Sequence, residues 1–354
     1  MLWNTSVAKI EVVETCFLRK KKYKEPNKRI NPFEELTGVF NHCYSMRFQK
    51  LVTDFGVEES FGLAAQRMKE HHGVEINVSS ARKITEYHAG RAAVLDAGLP
   101  SKVKQSSKRM IVEMDGEMVP VVEYAPSTDR RKTKTNLWQE LRIGTAQNLG
   151  EANWQYACSF RDADQLGDRM KTVVLRLGYT EQTKVHGPGD GAAWITSQGE
   201  RIAGKNYTHL IDLFHLCEYF SGAVVAWQEN TKEEVRRFKD LSKEGKICKV
   251  VEELRDRQKI FSNHDGIQSC INYIGNRPGQ FEYQKAIKLG LPIGSGKVES
   301  SHRSVMQKRL KKPGAWWLRV NAEKIADLRT LRVNGGWNLL WQRNSRIGCV
   351  QAAA

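Results

Sequence analysis

Three acidic residues set among small residues carry the chemistry this sequence offers. Asp115 closes the apolar run Arg109 to Asp115 and is followed by Gly116. Asp190 lies in Gly187-Pro188-Gly189-Asp190-Gly191-Ala192, and Glu299 follows Gly294-Ser295-Gly296-Lys297-Val298. Carboxylates at strand ends, beside residues small enough to admit a phosphate, suit metal-assisted phosphodiester chemistry. That chemistry uses two ions about 3.5–4 Å apart, one activating the attacking oxygen and one stabilising the leaving oxygen. Magnesium prefers oxygen ligands and keeps several waters, so two or three carboxylates from distant parts of a chain suffice. Each acid also has a plain structural reading. Asp-Gly between two strand-like runs is the preferred type I′ hairpin turn. Asp190 fits an ordinary turn, and an acid in the first turn of a helix, where Glu299 falls, is favoured by the helix dipole. Asp212, in Leu210-Ile211-Asp212-Leu213-Phe214-His215, competes for the second position. His215, three residues on, can face it if a helix begins there.

The elements that must position these acids follow from hydrophobic periodicity. Arg109 to Asp115, Met118 to Tyr124, Trp138 to Ala146 and Trp154 to Phe160 read as strands, with a basic loop from Asp129 to Thr135. A helix is expected over 164–177, strands over 183–190 and 208–214, and a helix from about His215. Strands in series, then alternating helix and strand, give an α/β class: a mixed sheet with helices packed on it. Residues 221–290 lose the strand signal and read as a helical insertion, with helices near 233–241 and 246–261. A further helix covers 297–311 and stops before Pro313. The span 291–335 returns to the sheet domain of 106–220, and 336–354 reads as a tail. Upstream, 36–105 reads as all-α. Two short helices, about 59–72 and 79–92, are joined through Gly73, and Ser79 and Ser80 offer a cap for the second. This is a helix-turn-helix candidate; an ordinary packed helix pair is the alternative. Residues 1–35 read as a flexible basic arm carrying Lys20, Lys21, Lys22, Lys24, Lys28 and Arg29.

The charge balance narrows the partner class. The 354 residues contain 56 Lys plus Arg against 40 Asp plus Glu, a net charge of +16. Such an excess attracts polyanions, so double-stranded DNA is the expected partner. No apolar run is long enough to span a membrane, and seven unclustered cysteines fit a reducing, cytoplasmic, nucleoid-associated setting. If DNA is the partner, the second helix of the pair presents Ser79, Ser80, Arg82 and Lys83 to it. Lys308, Arg309, Lys311 and Lys312 form a patch able to track phosphates, and Trp316 or Trp317 can stack on an unpaired base while the other sits in the core. Arg303, four residues after Glu299, can hold a phosphate or pair with that acid.

The blocks Asp190-Gly191-Ala192-Ala193-Trp194-Ile195, Ile211 to His215, Gly294 to Glu299, and Gln307 to Lys311 with Pro313 to Trp317 occur in that order. In order and spacing they resemble the ISKra-type transposases of bacterial insertion sequences, within the wider Mutator-like superfamily, over about residues 55–337. The resemblance implies a ribonuclease-H-like core with a helical insertion, preceded by a helix-turn-helix. It implies a DDE triad of Asp115, Asp190 and Glu299 holding two Mg²⁺, or Mn²⁺ in their place, with Asp212 and His215 as supporting residues. It implies binding of element ends and target DNA by a homo-oligomer, and strand cleavage followed by strand transfer. A DNA-binding regulator or a catalytically inactive transposase remnant shares the charge and the helix pair, and remains the alternative.

Overall fold

The computed structural model describes residues 2–13, 15, 17–19, 28–30, 32, 44–101, 106–126, 129, 133–225, 230–262 and 264–342. Contacts divide the chain into two units, one of Met1–Gly98, Pro120–Leu137 and Val305–Ala354, the other of Leu99–Val119 and Trp138–Ser304.

In the first unit the segment expected to be an unstructured arm carries two antiparallel ribbons, β1 (Leu2–Asn4) with β2 (Lys9–Glu11) and β3 (Phe17–Arg19) with β4 (Lys28–Ile30). The first turn is closed by Thr5, whose hydroxyl donates to Ala8 O at 2.8 Å and accepts from Ala8 N at 3.0 Å. Such local side-chain turns are invisible to hydropathy. Lys20, Lys21, Lys22 and Lys24, and residues 130–132 of the basic loop 129–135, lie outside the described residues. Four helices follow: α1 (Met46–Glu58), α2 (Phe61–His72), α3 (Val78–Ala89) and α4 (Ala92–Ala97). Ser45 and Ser60 cap α1 and α2, and Gly73 ends α2 with φ +65°. The α3 cap is Asn77, accepting from Ser80 N at 2.7 Å, rather than the expected Ser79 or Ser80. Asn caps as well as Ser, and the helix has already begun at Val78. Phe48, Val52, Met68, Ala81 and Ile84 form the shared core of α1, α2 and α3.

The helix Arg319–Val333 joins this bundle instead of the sheet, which corrects the expected assignment of 291–335 from Val305 onward. Polar contacts hold it there. Asn321 donates to Glu86 at 2.9 Å, Arg329 to Val57 O at 2.6 Å, and Asn334, just past the helix, to Asp96 at 2.7 Å.

Buried His88 in α3 meets Gln49 at 2.9 Å. Burial, reinforced by the charge of Arg91, lowers its pKa to about 3. The folded ring therefore resists protonation more than the unfolded one. Its contribution to stability is complete above about pH 6.5 and is lost as pH falls from there toward 3, at roughly 1.4 kcal/mol per unit. Thermal melts at pH 7.5 and pH 5 should show the protein weakened at the lower pH, and His88→Gln should remove most of that difference.

The second unit is built on a five-stranded sheet of order β7-β6-β5-β8-β9, where β5 is Arg109–Tyr124, β6 Lys134–Asn148, β7 Gln155–Ser159, β8 Lys184–Gly189 and β9 Tyr207–Ile211. In chain order this is third-second-first-fourth-fifth, with β5, β8 and β9 mutually parallel. Helix α5 (Ala163–Arg176) connects β7 to β8, and α6 (Ala193–Ala203) connects β8 to β9. Both parallel pairings are thus bridged by helices, as parallel strands require. Met110, Val112 and Met114 face α5 and α6 in one core with Leu166, Met170, Val173 and Ile195. Helices α7 (Leu213–Val224), α8 (Thr231–Lys243), α9 (Ile247–Ile260), α10 (Asp265–Gly275) and α11 (Tyr283–Lys288) gather around a second core of Phe220, Phe238, Leu254, Ile267 and Tyr283. A short α12 (Gly296–Ser301) runs into a π-helical turn, His302–Gln307.

Asp115-Gly116 is not a hairpin turn: β5 runs unbroken through it, joining two expected strands into one. Glycine serves there because Glu140 of β6 lies across it; a Cβ at position 116 would fall 2.1 Å from a Glu140 oxygen. Among the described residues no helix is long and apolar enough to cross a membrane.

Candidate active site

With Met110, Val112 and Met114 directed to one face of β5, alternation sends Glu113, Asp115 and Glu117 to the other. The parallel register then aligns acids across strands. The β5–β8 pairing runs from Arg109 with Lys184 to Ile111 with His186, four residues before Asp115 and Asp190 respectively. The pairing of Val185 with Tyr207, carried five residues on, brings Asp190 level with Asp212. Adjacent strands lie about 4.8 Å apart. Asp190 and Asp212 thus form a row just past the C-terminal ends of β8 and β9, and Asp115 lies within the neighbouring strand β5.

Asp212 is the structural member of that row. It is buried, and its backbone N–H donates to Gly189 O at 2.7 Å. One carboxylate oxygen caps α7, accepting from Phe214 N at 2.6 Å and His215 N at 3.2 Å. The other accepts from Ser295 N at 2.6 Å and the Ser295 hydroxyl at 2.7 Å. A carboxylate offers about four lone-pair sites, so this one is fully used by protein donors. Asp212 fixes the turn before α12 rather than offering a ligand, and a Cβ on Gly294 would approach its oxygen to 3.3 Å.

Asp190 is held by its backbone. Tyr273 of α10 donates its hydroxyl to Asp190 O at 2.7 Å, and the Arg277 guanidinium donates to Gly191 O at 3.1 and 3.2 Å while covering the Tyr273 ring at 4.0 Å. Gly191 has φ +84°, and a Cβ there would meet Arg277 at 2.7 Å and Tyr273 at 2.9 Å. One Asp190 oxygen accepts from Ala192 N at 2.8 Å. The helical insertion therefore clamps the aspartate loop. The His215 ring does not turn to Asp212; it pairs with Glu218 at 3.1 Å and packs edge-on to Tyr273 at 6.1 Å.

Glu299 is exposed at the start of α12, and no ion pair joins it to Arg303, which is also exposed. The helix loosens into its π turn between these residues, so α-helical spacing no longer applies. Two further groups fix α12. Buried Glu113 accepts from Val298 N at 2.8 Å. Burial raises its pKa to about 7, with the N–H groups of Val298 and Lys297 opposing and the Asp212 charge adding. His302 lies within ion-pair reach of Asp115 at 3.2 Å and Glu117 at 3.1 Å, although neither ring nitrogen is aligned as a hydrogen bond. Burial acts to discharge that ring, but the two carboxylates outweigh it and raise its pKa to about 9. Asp115 therefore faces a cation, and its other oxygen accepts from Gly116 N at 2.7 Å.

Asp115, Asp190 and Glu299 are oxygen donors of the class that Mg²⁺ takes. In the present arrangement, however, the described His, Cys, Asp and Glu residues form no group of three or more able to hold a metal ion.

The residues expected at DNA lie in the first unit. Ser79, Arg82 and Lys83 are exposed on one side of α3, with Ser80 half-buried. Arg309 is not on the surface. It is 2% exposed, donates to Gly56 O at 2.9 Å, and is sandwiched between Phe61 and Trp317 at 4.6 Å from each ring. Burial, with the nearby charge of Arg329, lowers its pKa to about 10. Lys308 pairs with Glu58 at 3.3 Å and Lys312 with Glu59 at 3.0 Å. Lys311 is half-buried and Trp316 exposed; Trp317 is buried and donates to Leu310 O at 3.1 Å. Most of the expected basic patch thus binds the acidic end of α1.

No family model matches the sequence, and no curated protein matches it. Among solved structures, the Drosophila P element transposase strand transfer complex overlaps 87% of this chain and 83% of its own, with a TM-score of 0.34 and 10% identity. At that score the likeness does not fix a fold.

Proposed function

We propose that this chain is a DNA transposase whose sheet is a ribonuclease-H-like catalytic core, with Asp115, Asp190 and Glu299 as its triad. The observation that carries the proposal is the row of Asp190 and Asp212 just past the ends of β8 and β9, beside the strand that holds Asp115 and tied through Asp212 and Ser295 to the helix bearing Glu299. The strand order supports the fold assignment, and the four sequence blocks supply the transposase reading. Mg²⁺ or Mn²⁺, two ions per site, would supply oxygen activation and leaving-group stabilisation. Tyr273 and Arg277 hold the Asp190 loop, Asp212 sets the turn into α12, and Glu113 anchors that helix through Val298. In the same proposal α2 and α3 act as a helix-turn-helix. Arg82 and Lys83 contact DNA with strong salt dependence, and a homo-oligomer pairs two element ends.

A DNA-binding protein without catalysis is the second reading, favoured by the engagement of Asp115 with His302 and by the lack of a gathered metal group among the described residues. One assay separates them: purified protein, end-labelled duplexes carrying the element ends, and a second duplex as target, with Mg²⁺, Mn²⁺ or EDTA. Metal-dependent cutting at the element end, followed by joining of the freed 3′ end, is expected. Binding without cutting in any metal would leave only the regulator.

A further inference from the structure

The acid row occupies one end of the parallel strands; the other end holds a cavity of about 320 Å³. Arg109 opens β5, Lys184 opens β8 and Thr208 lies near the start of β9, and all three line it. At about 3.3 Å per residue, six residues of β5 separate Arg109 from Asp115 by roughly 20 Å. The cavity is therefore distinct from the acid row and contains none of the proposed triad.

Its lining is both cationic and apolar. Arg109, Lys184, Lys205 and Lys285 supply four cations, against the single carboxylate of Glu282. Lys184 donates to Asn206 at 2.5 Å. Among the described residues no carboxylate lies within ion-pair distance of Arg109, Lys205 or Lys285. His186 adds no charge: it meets Pro292 O at 2.8 Å, and burial, with the charge of Arg109 also acting against protonation, lowers its pKa. Leu210, Ala286, Leu289 and Leu291 make an apolar part of the lining. Cations that outnumber carboxylates four to one in a recess repel one another, at a cost that a bound anion removes. A purely solvated basic surface would have neither the recess nor the apolar wall.

We propose that this cavity is a phosphate-ester site of nucleotide size, with the phosphate among Arg109, Lys205 and Lys285 and the base and sugar against the leucine wall. Its volume lies near the lower end of the roughly 300–1,000 Å³ typical of small-molecule pockets, which suits one nucleotide and excludes a duplex. The shared chemistry is a nucleoside phosphate, supplied as a free mononucleotide or as the phosphorylated end of a strand. The inference does not depend on catalysis at the acid row.

Equilibrium binding by the full chain without divalent metal tests it, using dAMP, deoxyadenosine and a 5′-phosphorylated single strand beside its unphosphorylated twin. Saturable binding of dAMP, at least about tenfold tighter than deoxyadenosine, assigns the site to free nucleotides. Binding confined to the phosphorylated strand assigns it to strand ends. In either case Lys205→Ala with Lys285→Ala should weaken binding about tenfold or more, and Glu282→Gln should strengthen it. Asp190→Asn should bind as the wild type does, so a failure of the cleavage reading is distinguishable from a failure here. Absence of phosphate-dependent binding in both arms, or binding unchanged in the double variant, overturns the proposal.

Discussion

Asp190→Asn should lower metal-dependent strand cleavage by roughly 10³-fold or more and leave the fold intact. The two parts of that expectation have different causes. The Asp190 loop is held by its main chain, through Tyr273 on Asp190 O and Arg277 on Gly191 O, and neither contact uses the carboxylate. The one local role of the side chain, accepting from Ala192 N, passes to the amide oxygen of Asn. What disappears is a negative oxygen just past the end of β8. Single-turnover cleavage and thermal melts on the same preparation check both parts. Cleavage within tenfold of wild type would remove Asp190 from the catalytic set. A loss of activity accompanied by unfolding would show that the carboxylate is structural.

The second large effect is on stability. Arg309→Ala should destabilise the protein by roughly 3 kcal/mol. It removes a buried guanidinium from between two aromatic rings, opens a void there, and leaves Gly56 O without its donor. The salt dependence of DNA binding should not change, because the guanidinium never reaches solvent. Arg82→Ala, on the exposed side of α3, is the comparator: about 0.5 kcal/mol or less in stability, and a salt slope smaller by about one. Urea unfolding and binding isotherms at several salt concentrations decide between them. A reduced slope in Arg309→Ala at unchanged stability would return this residue to the DNA surface.

The sequence tells these two arginines apart poorly. Lys308, Arg309, Lys311 and Lys312 read as a solvated patch because nothing nearby signals a partner. The partners are the last carbonyls and acids of α1, some 250 residues upstream. Strand positions were more accessible, since alternation and β-branching mark 109–115 and 118–124 directly. The alignment of Asp190 with Asp212 was not, because register belongs to pairs of strands and not to any one of them. Glu113 and Glu117 did leave a signal: each lies two residues from Asp115, which in a strand means the same face. His302, three residues beyond Glu299, was similarly within reach. Tyr273 and Arg277 were not, because they fall in the part of the insertion where the sequence marks no element and no acid partner. The smooth run through Asp115-Gly116 was missed because the local turn preference is strong and the close approach of Glu140 is a tertiary fact.

The first unit takes its parts from both ends of the chain, and this sets an order of assembly during synthesis. Helices α1 to α4 leave the ribosome well before Arg309 and Arg329, whose guanidinium groups close the end of α1. At about 5–20 residues per second, that interval lasts on the order of ten seconds to a minute. Meanwhile every residue of the sheet unit, which ends at Ser304, has been made. The first helices to be made are thus among the last to be finished. A message broken shortly after Ser304 would yield a protein that keeps its row of acids while its opening helices stay unclosed.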